Sequence, residues 1–191
     1  MNTLVAPAVV PAARVELPRL AQVLSTAFAD NPVSDWLFQG EQDSHHPAFF
    51  AAYLRHALAA GRIEQTTDGT AVAVWVDHTS RPALEVFHRE SAEAVGVHLP
   101  RLTQLEAALY DAQPRQPHWW LAFLGVLPTH RGRGHGSRLL GHARRWQGDT
   151  LSYLEATSLR LVGWYAQHGY CAGPALPVPH GPTVHPMWHT G

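Results

Sequence analysis

The sequence predicts a single α/β domain over residues 1–191, built on a mixed, mostly antiparallel sheet with helices on both faces. Three observations point there. The chain has 191 residues, 46% of them hydrophobic, enough for one domain to bury roughly 70% of its unfolded surface. The run Ala71-Val72-Ala73-Val74-Trp75-Val76 is apolar on both faces, as a mid-sheet strand covered on both sides must be. From Trp119 onward, apolar runs and helical spacing alternate in the order strand, loop, helix, strand, helix.

Each element has a local cause. The apolar stretch Leu4 to Ala13 lacks a positive leader and is broken by Pro7 and Pro11, so it reads as a tail entering a first strand. Leu17, Leu20, Leu24 and Phe28 recur at three- and four-residue spacing and form an amphipathic helix that Asn31-Pro32 stops. Pro47 opens a second helix whose stripe of Phe50, Tyr53, Leu54, Ala57 and Leu58 ends at Gly61, expected as a left-handed cap. Asp68-Gly69 supplies the positive φ angles of a hairpin between Arg62–Thr66 and Thr70–Val76.

Helical spacing returns over Leu84–Val95 and Leu99–Tyr110, separated by a break at Gly96 and Pro100. Trp119–Val126 is the strongest strand in the chain, closed by Pro128, and belongs at the centre of the sheet. Beyond a glycine-rich loop come a helix over Ser137–Gln147, a strand over Leu151–Ala156 and a helix over Leu159–His168 capped by Gly169. Gly181-Pro182 punctuates a closing hairpin whose return strand holds Val184 to His189.

Composition excludes several functions. Fourteen basic residues against fifteen acidic ones give a net charge of −1, so no excess positive field favours nucleic acid. All fourteen are Arg and none is Lys, which removes a lysine Schiff base and the Gly-Lys-Ser/Thr phosphate loop. Cys171 is the only cysteine, so neither an internal disulfide nor a multi-cysteine zinc site is available, and the cytoplasm is the expected compartment. No run approaches the roughly 20 apolar residues that span a bilayer, so no membrane partner is expected.

The chemistry concentrates in Gly125-Val126-Leu127-Pro128-Thr129-His130-Arg131-Gly132-Arg133-Gly134-His135-Gly136-Ser137. Glycines at 132, 134 and 136 strip Cβ atoms from a turn feeding a helix, so backbone N–H groups can converge on an anion at the positive helix end. Arg131, Arg133 and Arg138 add positive charge suited to phosphate oxygens. The spacing is not the dinucleotide pattern Gly-x-Gly-x-x-Gly, and only Glu155 could stand in as a ribose ligand, which sets nicotinamide binding aside.

Arg131-x-x-Gly134-x-Gly136 after a strand ending Val126-x-Pro128 resembles the coenzyme A pyrophosphate loop of the GNAT superfamily of N-acetyltransferases. Tyr165-Ala166-Gln167-His168-Gly169-Tyr170 is similar to a second segment of that family. Ala27-Phe28-Ala29-Asp30-Asn31-Pro32, Ala71–Trp75, Leu154-Glu155 and Gly181-Pro182 look like its puromycin N-acetyltransferase branch. The resemblance implies a central strand pair that splays apart, acetyl-CoA as cosubstrate, and direct transfer to the amine of a small molecule in a ternary complex, an aminonucleoside or amino-acyl-like acceptor being favoured. It implies that Leu124 and Val126 lend backbone groups to the pantetheine arm, and that Arg131, Arg133, Gly134, His135, Gly136 and Ser137 supply N–H groups to the pyrophosphate. Tyr165 matches the tyrosine that protonates the departing thiolate. Leu161 stands where the branch has an asparagine.

Deprotonating an incoming ammonium needs a base, and Glu155 is the one carboxylate inside an apolar strand, on a face with Leu151 and Tyr153. A water chain would serve as well, and a structural pairing of Glu155 with Arg160 is the competing reading. Tyr165 could likewise be a core aromatic. Trp36, Trp75 and Trp119 are candidate walls for an aromatic acceptor. His45-His46 and His185-x-x-x-His189 show no partners at ligand spacing, so no functional metal is expected. The fourteen histidines predict a net charge that climbs between pH 7 and 5. Cys171 reads as a small buried residue. A non-catalytic acyl-CoA sensor with the same fold is the alternative function, and an RNA-binding arginine-glycine segment is a second. Oligomeric state is not legible.

Overall fold

The computed structural model describes residues 6–79 and 85–190. After β1 (Val9–Pro11) come α1 (Leu17–Ala27), α2 (Pro32–Phe38) and α3 (Gln42–Ala60). The hairpin β2 (Gly61–Thr66) and β3 (Ala71–Asp77) leads to α4 (Glu85–Val95), α5 (Leu99–Ala112) and β4 (His118–Val126). Then follow α6 (His135–Gln147), β5 (Leu151–Ala156), α7 (Leu159–Ala166), β6 (Cys171–Ala172), β7 (Leu176–Pro177) and β8 (Thr183–His189). Leu84, the expected start of the third helical run, lies outside the described residues.

The sheet runs β1-β2-β3-β4-β5-β8-β6, with β7 paired to the start of β8. Every pairing is antiparallel except β4 with β5. That parallel contact joins only His118–Trp120 to Leu151–Tyr153, so the two strands part beyond Trp120 and Tyr153. The partner strand β3 stays bonded to β4 as far as Val126, with a bulge opposite Val74/Trp75 that places Ala122 out of register. The expected splayed central pair is therefore present.

Side-chain alternation along β3 divides the core. Val72, Val74 and Val76 face one cluster with α1 and α3, while Ala71, Ala73 and Trp75 face another with α6 and α7. Between β2 and α6, the fully buried Glu64 receives hydrogen bonds from Arg62 Nε (3.0 Å) and Trp146 Nε1 (2.9 Å), and lies 2.8 Å from His142 Nδ1.

Several local expectations are corrected. Asn31 caps a helix rather than ending one: its Oδ1 accepts from the N–H groups of Val33 (2.9 Å) and Ser34 (3.4 Å), and Pro32 takes the first helical position. Pro47 lies inside α3, where the missing N–H forfeits only a bond near the helix start. Gly61 is extended (φ 179°), and a Cβ there would meet the Trp75 carbonyl oxygen at 2.1 Å, so close strand approach and not a left-handed cap requires the glycine. Cys171 is exposed in β6, beyond the reach of either core cluster.

Candidate active site

The loop from Pro128 to Gly134 turns the end of β4 into α6. Gly132 and Gly134 hold φ of +76° and +81°, where side chains are strained. Gly136 has a different reason to lack a side chain: a Cβ would stand 3.1 Å from the Trp164 ring. From Gly132 through Ser137 none of the backbone N–H groups finds an acceptor among the described residues, and the first helical bond of α6 runs from Arg138 to Gly134 at 3.0 Å. These unpaired donors stand at the positive end of a 13-residue helix, the arrangement expected of an anion cradle.

The arginines work otherwise than expected. Arg131 forks onto Asp30 (3.0 and 3.2 Å) and donates to the Ala27 carbonyl (2.8 Å) at the end of α1. The neighbouring guanidinium holds the Asp30 carboxyl below its ordinary range. The Arg131 N–H already donates to Pro128 at 3.3 Å, so this residue braces the loop. Arg138 folds back to the Arg133 carbonyl at 2.9 Å, while Arg133 itself is exposed and off the cavity wall. His135 turns its side chain inward, with Nδ1 3.9 Å from Asp68. Ser137 Oγ lies 2.9 Å from His168 Nε2, and His168 Nδ1 lies 2.9 Å from the Trp164 carbonyl. A carbonyl only accepts, so Nδ1 carries the hydrogen and Ser137 donates to Nε2, tying α6 to α7.

A cavity of about 1140 Å³ starts at this loop, passes through the gap between β4 and β5, and opens into an aromatic wing. Leu124, Val126, Glu155 and Tyr165 all line it. Gly125, between Leu124 and Val126, faces the other way, its missing Cβ making room for Leu24 and Ala27 of α1 at 3.0 and 3.2 Å. Leu161 lines the wall as an apolar residue, with Ser158 capping α7 beneath it.

Glu155 reaches the cavity from the part of β5 that has separated from β4 while staying paired to β8. Its Oε2 accepts from Trp120 Nε1 at 2.9 Å, while its Oε1 and the Tyr153 hydroxyl are buried without partners. Burial pushes its carboxyl up to about 7, against the lowering effect of the Trp120 N–H. No pairing with Arg160 forms; Arg160 lines the cavity nearer Asp30. Tyr165, 8% exposed, packs its ring against Trp164 (4.8 Å) and Tyr170 (5.7 Å), and burial holds its phenol well above the ordinary value, hence protonated. The two candidate catalytic groups thus meet on one cavity; burial raises both, which leaves Glu155 near neutral, as a base requires, and Tyr165 protonated, as an acid requires.

The wing was only partly foreseen. Phe28, Phe50, Tyr53 and Phe123 pack edge to face at 4.9 to 5.6 Å, from α1, α3 and β4. Of the tryptophans, Trp120 and Trp164 line the cavity; Trp75 and Trp119 instead pack on Trp146, and Trp36 on the turn at His180-Gly181. The opposite wall comes from α4 and α5 through Phe87, His88 and Glu106. Burial raises the Glu106 carboxyl. A carboxylate four residues after Leu102, on the apolar side of its helix, was the signal in the sequence. The closing hairpin contributes only Val184.

Residues 95–171 match the family model described as an acetyltransferase (GNAT) domain. A Corynebacterium glutamicum structure described as histone acetyltransferase HPA2 and related acetyltransferase is 29% identical, with 98% of each chain covered and a TM-score of 0.74. Drosophila melanogaster polyamine N-acetyltransferase, which forms N-acetylagmatine, is 19% identical over 96% of this chain and 99% of that one, TM-score 0.62. Arabidopsis thaliana Naa50, bound to a bisubstrate analogue containing CoA, is 14% identical over 98% and 100%, TM-score 0.59.

Proposed function

We propose that this GNAT-fold acetyltransferase, with acetyl-CoA as its cosubstrate, acetylates the primary amine of a small molecule with a flat apolar body, an aminonucleoside or amino-acyl-like compound. The observation that carries this is the place of Glu155, a carboxylate held near neutral pKa between an anion cradle and an aromatic wing. We read residues 1–191 as one working domain, since a single sheet runs from Val9 to His189.

The N–H groups of Arg133, Gly134, His135, Gly136 and Ser137 would hold the pyrophosphate, with Arg131 bracing the loop. Backbone groups of Leu124 and Val126, in the splayed part of β4, would take the pantetheine arm. Acetyl-CoA supplies an acetyl thioester. Glu155 accepts the first proton from the ammonium, the freed nitrogen forms the C–N bond as the C–S bond breaks, Tyr165 donates its phenol proton to the thiolate sulfur, and the second nitrogen proton, shed as the amide forms, restores the phenol. The apolar wing of Phe28, Phe50, Tyr53 and Phe123 favours an aryl or nucleobase body, and resemblance to the puromycin branch points the same way.

The test is thiol release from acetyl-CoA with a panel of puromycin, aminoacyl arylamides, agmatine and spermidine. The proposal expects the first two to exceed the aliphatic amines in kcat/KM at least tenfold. Preference for agmatine or spermidine would overturn the acceptor class. Saturable acetyl-CoA binding with no release from any amine would overturn turnover itself and favour a sensor.

A further inference from the structure

Away from the cleft, three side chains from separate segments converge where α3 begins. Glu41 immediately precedes α3, His45 follows it at i+4, and His98 arrives from the short turn Gly96–His98 between α4 and α5. Glu41 Oε2 lies 3.2 Å from His98 Nε2 and 3.7 Å from His45 Nε2. One donor atom from each residue lies within 4.8 Å of the other two. A tetrahedral zinc sphere with bonds of about 2.0–2.1 Å has edges of about 3.3 Å, so small side-chain rotations close the triangle.

The His45 imidazole is set for ligation, while His98 Nε2 donates to the Glu41 carboxylate, a hydrogen that a cation displaces. His45 Nδ1 lies 3.1 Å from the Ala94 carbonyl, which can only accept, so that nitrogen carries the hydrogen and Nε2 turns a lone pair toward Glu41. A backbone carbonyl that fixes the tautomer of a histidine is the usual support behind a metal ligand. The rings are also clamped. His45 stacks on the fully buried Phe38 at 5.6 Å and 3°, and His98 meets Phe38 edge-on at 5.7 Å. The sequence reading set His45 aside for want of a partner at ligand spacing, yet Glu41 stands four residues before it, and the fold delivers His98 from 53 positions away.

We propose that Glu41, His45 and His98 form a site for a divalent transition cation of the zinc class, its remaining position taken by water. Two imidazoles and a carboxylate suit such ions and not magnesium or calcium, which prefer all-oxygen shells. The site ties the turn between α4 and α5 to the start of α3. Those helices supply Phe87, His88 and Glu106 on one wall of the acceptor wing, and Phe49, Phe50 and Tyr53 on the other. Cation binding therefore stiffens the wing from outside the chemistry.

The experiment is calorimetric titration of the metal-stripped full chain with zinc chloride and, separately, magnesium chloride, with thermal shift alongside. Beyond His45 and His98 the chain carries twelve further histidines that offer weak sites to zinc, so the informative quantity is the difference between wild type and Glu41→Gln or His45→Gln. Glu41 is 62% exposed, so its variant keeps the fold. The site predicts one tight equivalent of zinc, at least tenfold weaker in both variants, and no response to magnesium. Identical zinc uptake by wild type and both variants, or no tight equivalent in wild type, would reduce the cluster to a surface ion pair and overturn the proposal.

Discussion

Glu155 and Tyr165 carry opposite burdens for the same reason, enclosure by protein. A carboxyl raised to about 7 binds its proton more tightly folded than unfolded, so stability is present at low pH and is lost as pH rises from about 4.5 through 7. At 1.36 kcal/mol per unit, that loss is roughly 3 kcal/mol. Glu155→Gln is therefore expected to melt higher than wild type at pH 8 and close to it at pH 4.5. Its kcat/KM should fall about 10²-fold or more, and the rise of activity through pH 7 should disappear. Tyr165→Phe should lower kcat about 10²-fold while KM for acetyl-CoA and the melting temperature stay near wild type. A merely structural tyrosine would show the reverse, altered melting with unaltered kcat.

At the scale of elements, the loop before α6 is where glycine chemistry is separable from stability. Gly136→Val places a branched side chain against Trp164 and should raise KM for acetyl-CoA at least tenfold, with the thermal shift on adding acetyl-CoA lost. Glu64→Ala tests a different joint: removing a fully buried carboxylate that holds Arg62, His142 and Trp146 should cost about 2–4 kcal/mol by denaturant unfolding. Elements with period or punctuation of their own were legible in the sequence: β3 by its two apolar faces, β5 to the residue, the hairpin by Asp68-Gly69, the cradle by its glycines. What depends on an encounter was not. Arg131 looked like a phosphate ligand until α1 brought Asp30 within 3.0 Å. Trp120 could not be told from Trp119 until β4 and β5 came into parallel register and aimed its N–H at Glu155. The α4–α5 wall needed a tertiary fold, although Glu106 on an apolar face hinted at it.

For the molecule as a whole, charge does not follow composition. Burial lowers His46, His56, His118, His135 and His189, and takes His78 down to about 4. These rings charge in the unfolded chain below about 6.5 but resist charging when folded, so stability present above that pH is lost as pH falls toward 4. Melting temperature should decline steadily over this window, against the rise contributed by Glu155. Acetyl-CoA at 100 times its Kd should add about 2.7 kcal/mol, read as a melting shift of about 5–10 °C. The order of the sheet also bears on synthesis. Strand β5, which holds Glu155, is flanked on its outer side by β8, and their pairing reaches from Ser152 to Ala156 across from His189 to His185. Until those late residues leave the ribosome, this strand is a bare edge able to stick to other chains. A nascent polypeptide halted near residue 180 should accordingly depend on chaperones and stay inactive, even though Glu155, Tyr165 and the loop before α6 have already been made.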